Sequence, residues 1–317
     1  MRINTFPTIS FKRSNSNYNI IEKNKKQIDI NANYDISKKE SKLSLYNDYN
    51  ILAPKSKQAF HTLHQFPSEK TPQEGQFMGD NGKVFNRHTT HYARVDLNWK
   101  DLGDFLENRF QKAEKVNTYI YGCSYGEEVY TLLSLLSLRT KNPKKFFPIK
   151  AKDITPEIIE NNIERQKNGV TLSLDEISKI CKGIGVSEKE SFPILTTTKD
   201  NKIKIKNNCA KQVEFECANI LLDIESIDTE NPSIIMARNM WPYISPEKYE
   251  AYAQDLYKKL APNSVVIIGN FDNIGEGALP ETKKFPHYLK KSGFKPTKNV
   301  MGILPSINEK PIVFVKE

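Results

Sequence analysis

The chain of 317 residues is short of sulfur, histidine and tryptophan, with 4 Cys, 5 Met, 5 His and 2 Trp. Its cysteines, Cys123, Cys181, Cys209 and Cys217, contain no C-x-x-C pair. That removes the common zinc and dithiol motifs and makes reduced thiols in a cytosol the expectation. His61, His64, His91 and His287 do not stand at ligand spacing, so no metal is expected. No apolar run approaches the ~20 residues that cross a bilayer, and the polar beginning lacks a signal-peptide core. A cytoplasmic protein without a membrane span is therefore predicted. Lys and Arg number 47 against 38 Asp and Glu, a net charge of +9. An excess of this size suggests an acidic partner. The cations are spread without one dense block, however, which favours an ordinary solvated surface over a nucleic-acid footprint.

Residues 1–85 differ from the rest. Asn, Lys and Ser crowd the first 80 positions, and the apolar residues there recur without a sustained period. This composition predicts a largely disordered region, with one short helix at 56–66 and a Pro/Gly-punctuated linker at 67–82. From residue 86 to 317 strand and helix patterns alternate. A helix is predicted over 97–112, a first strand over 118–123 and its helix over 125–139. A second strand at 149–153 is followed by a helix that Thr155 should cap, with Pro156 in its first turn. An insertion at 170–210 holds a helix and a hairpin of 194–198 with 202–206. Strands at 212–217, 233–237 and 265–269 follow, and Ser245 should open a helix that ends at Leu260. Residues 312–316 are expected to pair with 299–304 as a closing antiparallel element. Alternation of this kind gives an α/β fold, a mostly parallel Rossmann-like sheet with helices on both faces.

The most informative stretch is 119–128, Tyr-Ile-Tyr-Gly-Cys-Ser-Tyr-Gly-Glu-Glu. A β-prone run enters a glycine turn at Gly122 and Gly126, where backbone can approach a ligand closely, and a helix follows. Two carboxylates, Glu127 and Glu128, directly after the turn would repel a pyrophosphate. They suit a ligand with positive charge and free hydroxyls, such as S-adenosylmethionine. The spacing Gly122-x-Ser124-x-Gly126 is also not the G-x-G-x-x-G of a nicotinamide dehydrogenase.

Residues 122–130, Gly-Cys-Ser-Tyr-Gly-Glu-Glu-Val-Tyr, resemble the first motif of the CheR-type chemotaxis-receptor methyltransferases, Gly-Cys-Ser-Thr-Gly-Glu-Glu-Pro-Tyr. These enzymes belong to the class I S-adenosylmethionine-dependent superfamily. Thr90, Tyr92, Ala93 and Arg94 resemble the family's Thr-x-Phe-Phe-Arg element. Lys152-Asp153-Ile154-Thr155 resembles its Asp-Ile-Asp strand end, residues 215–221 its Phe-x-x-x-Asn-Leu-Leu, and residues 237–243 its Cys-Arg-Asn-Val-x-Ile-Tyr. All fall in family order between about 86 and 317. Three features differ: one aromatic before the arginine is Ala93, Thr155 stands where the family has a second acid, and the compact helical domain that precedes the family's catalytic domain is not recognisable.

The resemblance implies a cofactor site of Thr90, Arg94, Gly122, Glu127, Glu128, Asp153, Ile154, Asn219, Ile220, Arg238 and Asn239, with Arg94 and Tyr243 serving catalysis. The residues themselves leave alternatives open. Asp153 ends a strand where a carboxylate can accept two ribose hydroxyls, or it is a solvated acid beside a helix. One of Glu127 and Glu128 faces the methionine end of the cofactor, or both are first-turn acids favoured by the helix dipole. Asn219 reads an adenine edge or makes a turn. Arg238, at a strand end, touches the cofactor or forms a structural ion pair. The resemblance implies methyl transfer from S-adenosylmethionine to a protein glutamate carboxylate, S-adenosylhomocysteine as product, and a monomer acting on a partner such as a chemoreceptor. Two other readings remain: an inactive methyltransferase-fold interaction module, and a nucleic-acid methyltransferase. The latter needs an Asn/Asp-Pro-Pro-Tyr turn that Asn239 to Tyr243, with a single proline, does not supply.

Overall fold

The structure is a computed structural model that describes residues 76–78, 84–86, 90–274, 280–300 and 310–317. The expected tail with its helix at 56–66 lies outside these. The elements in chain order are β1 (Gln76–Met78), β2 (Val84–Asn86), α1 (Trp99–Arg109), β3 (Asn117–Tyr121), α2 (Glu127–Arg139), β4 (Ile149–Asp153), α3 (Pro156–Asn168), β5 (Thr171–Leu172), α4 (Leu174–Ile184), β6 (Leu195–Thr197), β7 (Ile203–Ile205), α5 (Asn207–Ala210), β8 (Val213–Cys217), β9 (Ser233–Ala237), α6 (Tyr249–Lys259), β10 (Val265–Ile267), α7 (Asn270–Ile274), α8 (Phe285–Lys291), β11 (Lys295–Pro296) and β12 (Val313–Val315).

Seven strands form one sheet in the order β11-β12-β10-β9-β3-β4-β8. Strands β10, β9, β3, β4 and β8 run parallel, and β12 lies antiparallel to both β10 and β11. The central strands are the most apolar: all five residues of β9 are buried, and so are four of the five in β3. Such strands are hydrophobic on both faces because helices cover both sides of a parallel sheet. From β3 the chain winds outward through β4 to β8, then crosses back to β9 on the other flank of β3. The switch point of the sheet is therefore between β3 and β9, and a crevice opens at their carboxyl ends.

Several expectations need correction. Thr155 precedes α3, but its side chain makes no capping bond; its own N–H is instead held by Asp153 Oδ1 at 3.0 Å. Ser245 does not open α6 directly: it stands at the N-cap of a 3-10 turn, Pro246–Lys248, that intervenes before the helix. The closing strand β12 pairs with β10 and β11, not with 299–300, which form a bend; the remaining residues of the expected partner lie outside the described set. A short antiparallel pair, β1 with β2, starts within the residues assigned to the linker and ends beyond them at Asn86, with Phe77 and Phe85 in register. In the insertion the expected hairpin β6–β7 gains a third strand, β5. Its helix α4 starts with a capping box in which the Ser173 side chain and the Glu176 backbone and carboxylate bond reciprocally. Among the described residues, no helix is long and apolar enough to cross a membrane.

Ala93 has a structural cause. Gly183 of α4 approaches so closely that a Cβ added there would lie 2.4 Å from the Ala93 Cβ. A phenylalanine at 93 would need the space that α4 fills. Gly183→Ala is expected to destabilise the fold by roughly 1–3 kcal/mol through overpacking, although alanine is the better helix former. Denaturant midpoints of the two proteins test this; an equal or higher midpoint for the variant would show that α4 can slide away at no cost.

Candidate active site

At the carboxyl end of β3 three alternate residues break the extended path. Gly122 has φ +68°, Ser124 +47° and Gly126 +86°. Only glycine enters that region freely, and it does so at the two positions that set the turn. Asp153, the last residue of β4, fastens this turn: its Oδ2 accepts the Ser124 N–H at 3.0 Å while Oδ1 holds the Thr155 N–H. Asn162 of α3 donates to the Ser124 carbonyl at 2.6 Å. Asp153 is buried, and the next residue, Ile154, is 40% exposed. An exposed isoleucine at a strand end beside a carboxylate gives an apolar surface on which a planar ring can lie.

The two adjacent glutamates face different neighbours, as side chains one residue apart on a helix must. Glu128 takes a hydrogen bond from Arg238 Nη1. Glu127 turns toward Thr90, whose hydroxyl bonds its carboxylate, and toward the Arg165 guanidinium. Its Oε2 is buried with no hydrogen-bond partner among the described residues. Burial pushes the Glu127 carboxyl above its ordinary pKa, even with Arg165 and Thr90 pulling the other way. A buried carboxylate oxygen without a donor is costly, and an ammonium group would satisfy it.

Arg238 follows β9 and is a buried guanidinium, its side chain 1% exposed. Nη1 bonds Glu128, Nη2 bonds Asp96 Oδ1 at 2.5 Å, and the group lies 5.4 Å from the Trp99 ring centre. Its two terminal nitrogens are thus committed to ion pairs within the protein, while Nε is buried with no hydrogen-bond partner among the described residues. Asn239 has φ +57° and uses both ends of its amide. Nδ2 donates to Asp96 Oδ2 at 3.3 Å, and Oδ1 accepts the Phe271 N–H at 2.9 Å. The loop is fixed from the other side by Asp272, which accepts the N–H groups of Gly269, Asn239 and Trp241 at 2.6, 2.7 and 3.0 Å. Burial pushes the Asp272 carboxyl up to about 7 against these three donors. Trp241 stacks on Phe285 with ring centres 3.4 Å apart, and Tyr249 bonds the Trp241 and Ile244 carbonyls. Tyr243, half-buried, ends the resulting 3-10 turn, Trp241–Tyr243.

Asn219 makes a turn after β8: its Oδ1 accepts the Leu221 N–H at 3.0 Å, and its carbonyl accepts those of Leu222 and Asp223. Ile220 beside it is buried. Arg94 lies across the crevice, its side chain 25% exposed and its Nε 3.8 Å from Asp96 Oδ1. Tyr92, just before it, accepts a hydrogen bond from Arg165 at 2.7 Å, and burial pushes its phenol up to about 12. Thr131 holds the Ala93 N–H at 3.0 Å. The structure thus joins Thr90 to Glu127, Asp153 to the glycine turn, and Arg94, Arg238, Glu128 and Asn239 through Asp96. Asp96, Arg165 and Asp272 were not singled out from the sequence. Isolated charged residues near motifs carry no pattern that separates them from surface ions.

The family model for the CheR methyltransferase SAM-binding domain matches residues 87–288. The chain belongs to the CheR methyltransferase family. S-adenosylmethionine is the cofactor of this family's domain and of this chain. No curated protein matches the chain. Solved structures with a similar course include three methyltransferases. The bifunctional kinase-methyltransferase WbdD shares 13% identity at a TM-score of 0.39, over 71% of this chain and 40% of that one. An S-adenosylmethionine-dependent methyltransferase of Clostridium acetobutylicum shares 12% at 0.30, over 57% and 55%. A TehB-like methyltransferase of Corynebacterium glutamicum shares 11% at 0.35, over 68% and 88%. The chain thus spans less than two thirds of the first two.

The residues present fit the cofactor of the CheR family. The unpartnered Glu127 oxygen would hold its ammonium, the glycine turn would admit its backbone, Asp153 would face the ribose, and Ile154 with Ile220 would bed the adenine. Only ionised Glu127 can pair with an ammonium. Affinity for S-adenosylhomocysteine is therefore expected to be flat while Glu127 is a carboxylate. It should weaken, at most about tenfold per pH unit, as pH falls through a midpoint above the ordinary glutamate value near 4.3. Glu127→Gln should cost roughly 1.5–3 kcal/mol of affinity and flatten that profile. Equal affinities in calorimetric titrations of the variant and the unmodified chain would remove Glu127 from the ammonium site.

Proposed function

We propose that this enzyme transfers the methyl group to the side-chain carboxylate of a glutamate in a protein acceptor. The observation that carries the reading is the pairing of the two arginines. Arg238 is buried and held by two carboxylates, whereas Arg94 is a quarter exposed and stands 3.8 Å from an oxygen that Arg238 already occupies. One guanidinium is structural; the other is a forked cation at the rim with donors to spare, the group that orients a carboxylate in two places.

The cofactor, when bound, supplies an electrophilic methyl group on a sulfonium; its transfer to a carboxylate oxygen leaves a methyl ester and S-adenosylhomocysteine. A glutamate with an unperturbed pKa near 4.3 is already a nucleophile at neutral pH. The protein then needs no general base, and the site residues include no histidine. What remains is alignment and exclusion of water, and correct juxtaposition can supply roughly 7–11 kcal/mol of such a barrier. Arg94 orients the acceptor and Tyr243 offers a hydroxyl. Asn239 weighs against a nucleic-acid base as acceptor, because both ends of its amide are occupied within the protein. A protein with exposed glutamates, as a chemoreceptor has, is the acceptor class to test first.

The product separates the readings. Methyl groups transferred to a protein should be released as methanol by mild base. Tyr243→Phe should lower turnover about tenfold, in keeping with one hydrogen bond of roughly 1–2 kcal/mol, and Arg94→Ala should lower it further, both with cofactor affinity largely kept. Base-stable methylation would overturn the ester assignment. Tight cofactor binding without transfer to any protein would favour an interaction module.

A further inference from the structure

Asp96 lies two residues beyond Arg94 and belongs to none of the motifs. Its side chain is 12% exposed, and its two oxygens serve three partners. Oδ1 is shared unequally: Arg238 Nη2 sits 2.5 Å away and Arg94 Nε 3.8 Å away. Oδ2 accepts the Asn239 amide. Burial alone would raise the Asp96 carboxyl, but Arg238 and Arg94 outweigh it and hold its pKa below the ordinary value, so the carboxylate is charged at neutral pH. Arg238 cannot leave: it is buried and has Glu128 as a second anion. Arg94 can. It is the more exposed guanidinium and the more distant one, and its ion pair among the described residues is this long contact. An ion pair near the surface at such a separation is weak, and a bidentate contact with an incoming carboxylate is the stronger alternative.

We propose that Asp96 is a positioning residue that holds Arg94 in reserve, as an internal competitor for the guanidinium that an acceptor carboxylate displaces. This rests on the carboxylate-acceptor reading. Its consequence is specific. The competitor keeps Arg94 aligned with the end of β9 before the acceptor arrives, and it weakens Arg94's grip, so that the acceptor oxygen keeps its nucleophilicity.

The test uses the full chain saturated with S-adenosylhomocysteine and two probes, N-acetyl-glutamate α-amide and its neutral glutamine analogue, with binding followed by NMR. The unmodified chain should prefer the charged probe. Asp96→Asn keeps the shape and an oxygen for Asn239 but removes the competing charge. It should bind the charged probe about fivefold more tightly, with affinity for the neutral one unchanged. A lesion that merely loosened the fold would weaken both. A charge preference that is present in the unmodified chain but no larger in a folded Asp96→Asn protein would overturn the proposal and leave the acceptor reading standing. No charge preference in either protein would overturn the acceptor reading, and the proposal with it. If Asp96→Asn does not fold, the arginine Nε–H resonances of the unmodified chain decide. The charged probe should move that of Arg94 and leave that of buried Arg238 in place; movement of both, or of neither, would overturn the proposal.

Discussion

A guanidinium without water around it is the constraint on which this site depends. Arg238 emerges from the most buried strand of the sheet and has nowhere to place its charge except among protein groups. Removing such a group from water costs several kcal/mol, and only close, well-directed anions offset that cost. Glu128 comes from the first turn of α2, and Asp96 from the segment that leads into α1. Meeting the needs of one side chain therefore draws three parts of the chain to a single point at the end of β9. The crevice between β3 and β9 acquires its floor in this way. Removing either acid would leave a buried charge partly unpaired, so the arrangement constrains the chain in both directions.

The same geometry divides the work between neighbouring glutamates. Consecutive residues on a helix point about 100° apart, since a turn takes 3.6 residues. With Glu128 fixed toward Arg238, Glu127 points away from that pair and meets Thr90 and Arg165 instead. One acid is then satisfied by the protein, and the other keeps a buried oxygen without a donor among the described residues. Gly126 permits this placement because, at φ +86°, it starts α2 without a side chain of its own beside the turn.

Much of the sheet was legible because strand and helix periods differ and each buried strand is a short apolar run; β4 and β9 were bounded to the residue. The ends of elements were less so, and the reason is consistent. Thr155 and Ser245 have the chemistry of helix caps, but Asp153 holds the Thr155 backbone and a 3-10 turn separates Ser245 from α6, and sequence order shows neither. The two-residue strand β11 and the pair β1–β2 have too few residues to carry a period. In the site, the motif positions were visible and their division of labour was not. Glu127 and Glu128 are chemically identical, and only the three-dimensional position of Arg238 distinguishes them. Ala93 stood out as a lost aromatic until Gly183 was seen to occupy the space. Asp96 and Asp272 have no signature, since an acid that organises buried donors reads in the sequence like any surface acid.

Burial along the charged cluster is graded, and the gradient has a chemical use. Side-chain exposure rises from 1% at Arg238 through 12% at Asp96 to 25% at Arg94. At the inner end the effective dielectric is low, interactions are strong, and partners cannot exchange. At the outer end water screens the pair and exchange is cheap. A site that aligns an already ionised nucleophile needs both properties. The floor must not shift when a substrate with its own charge arrives, and the group that meets the substrate must be able to change partners. Placing Asp96 between the two arginines meets both needs with one carboxylate. It anchors the inner guanidinium by a short bond and holds the outer one by a long contact.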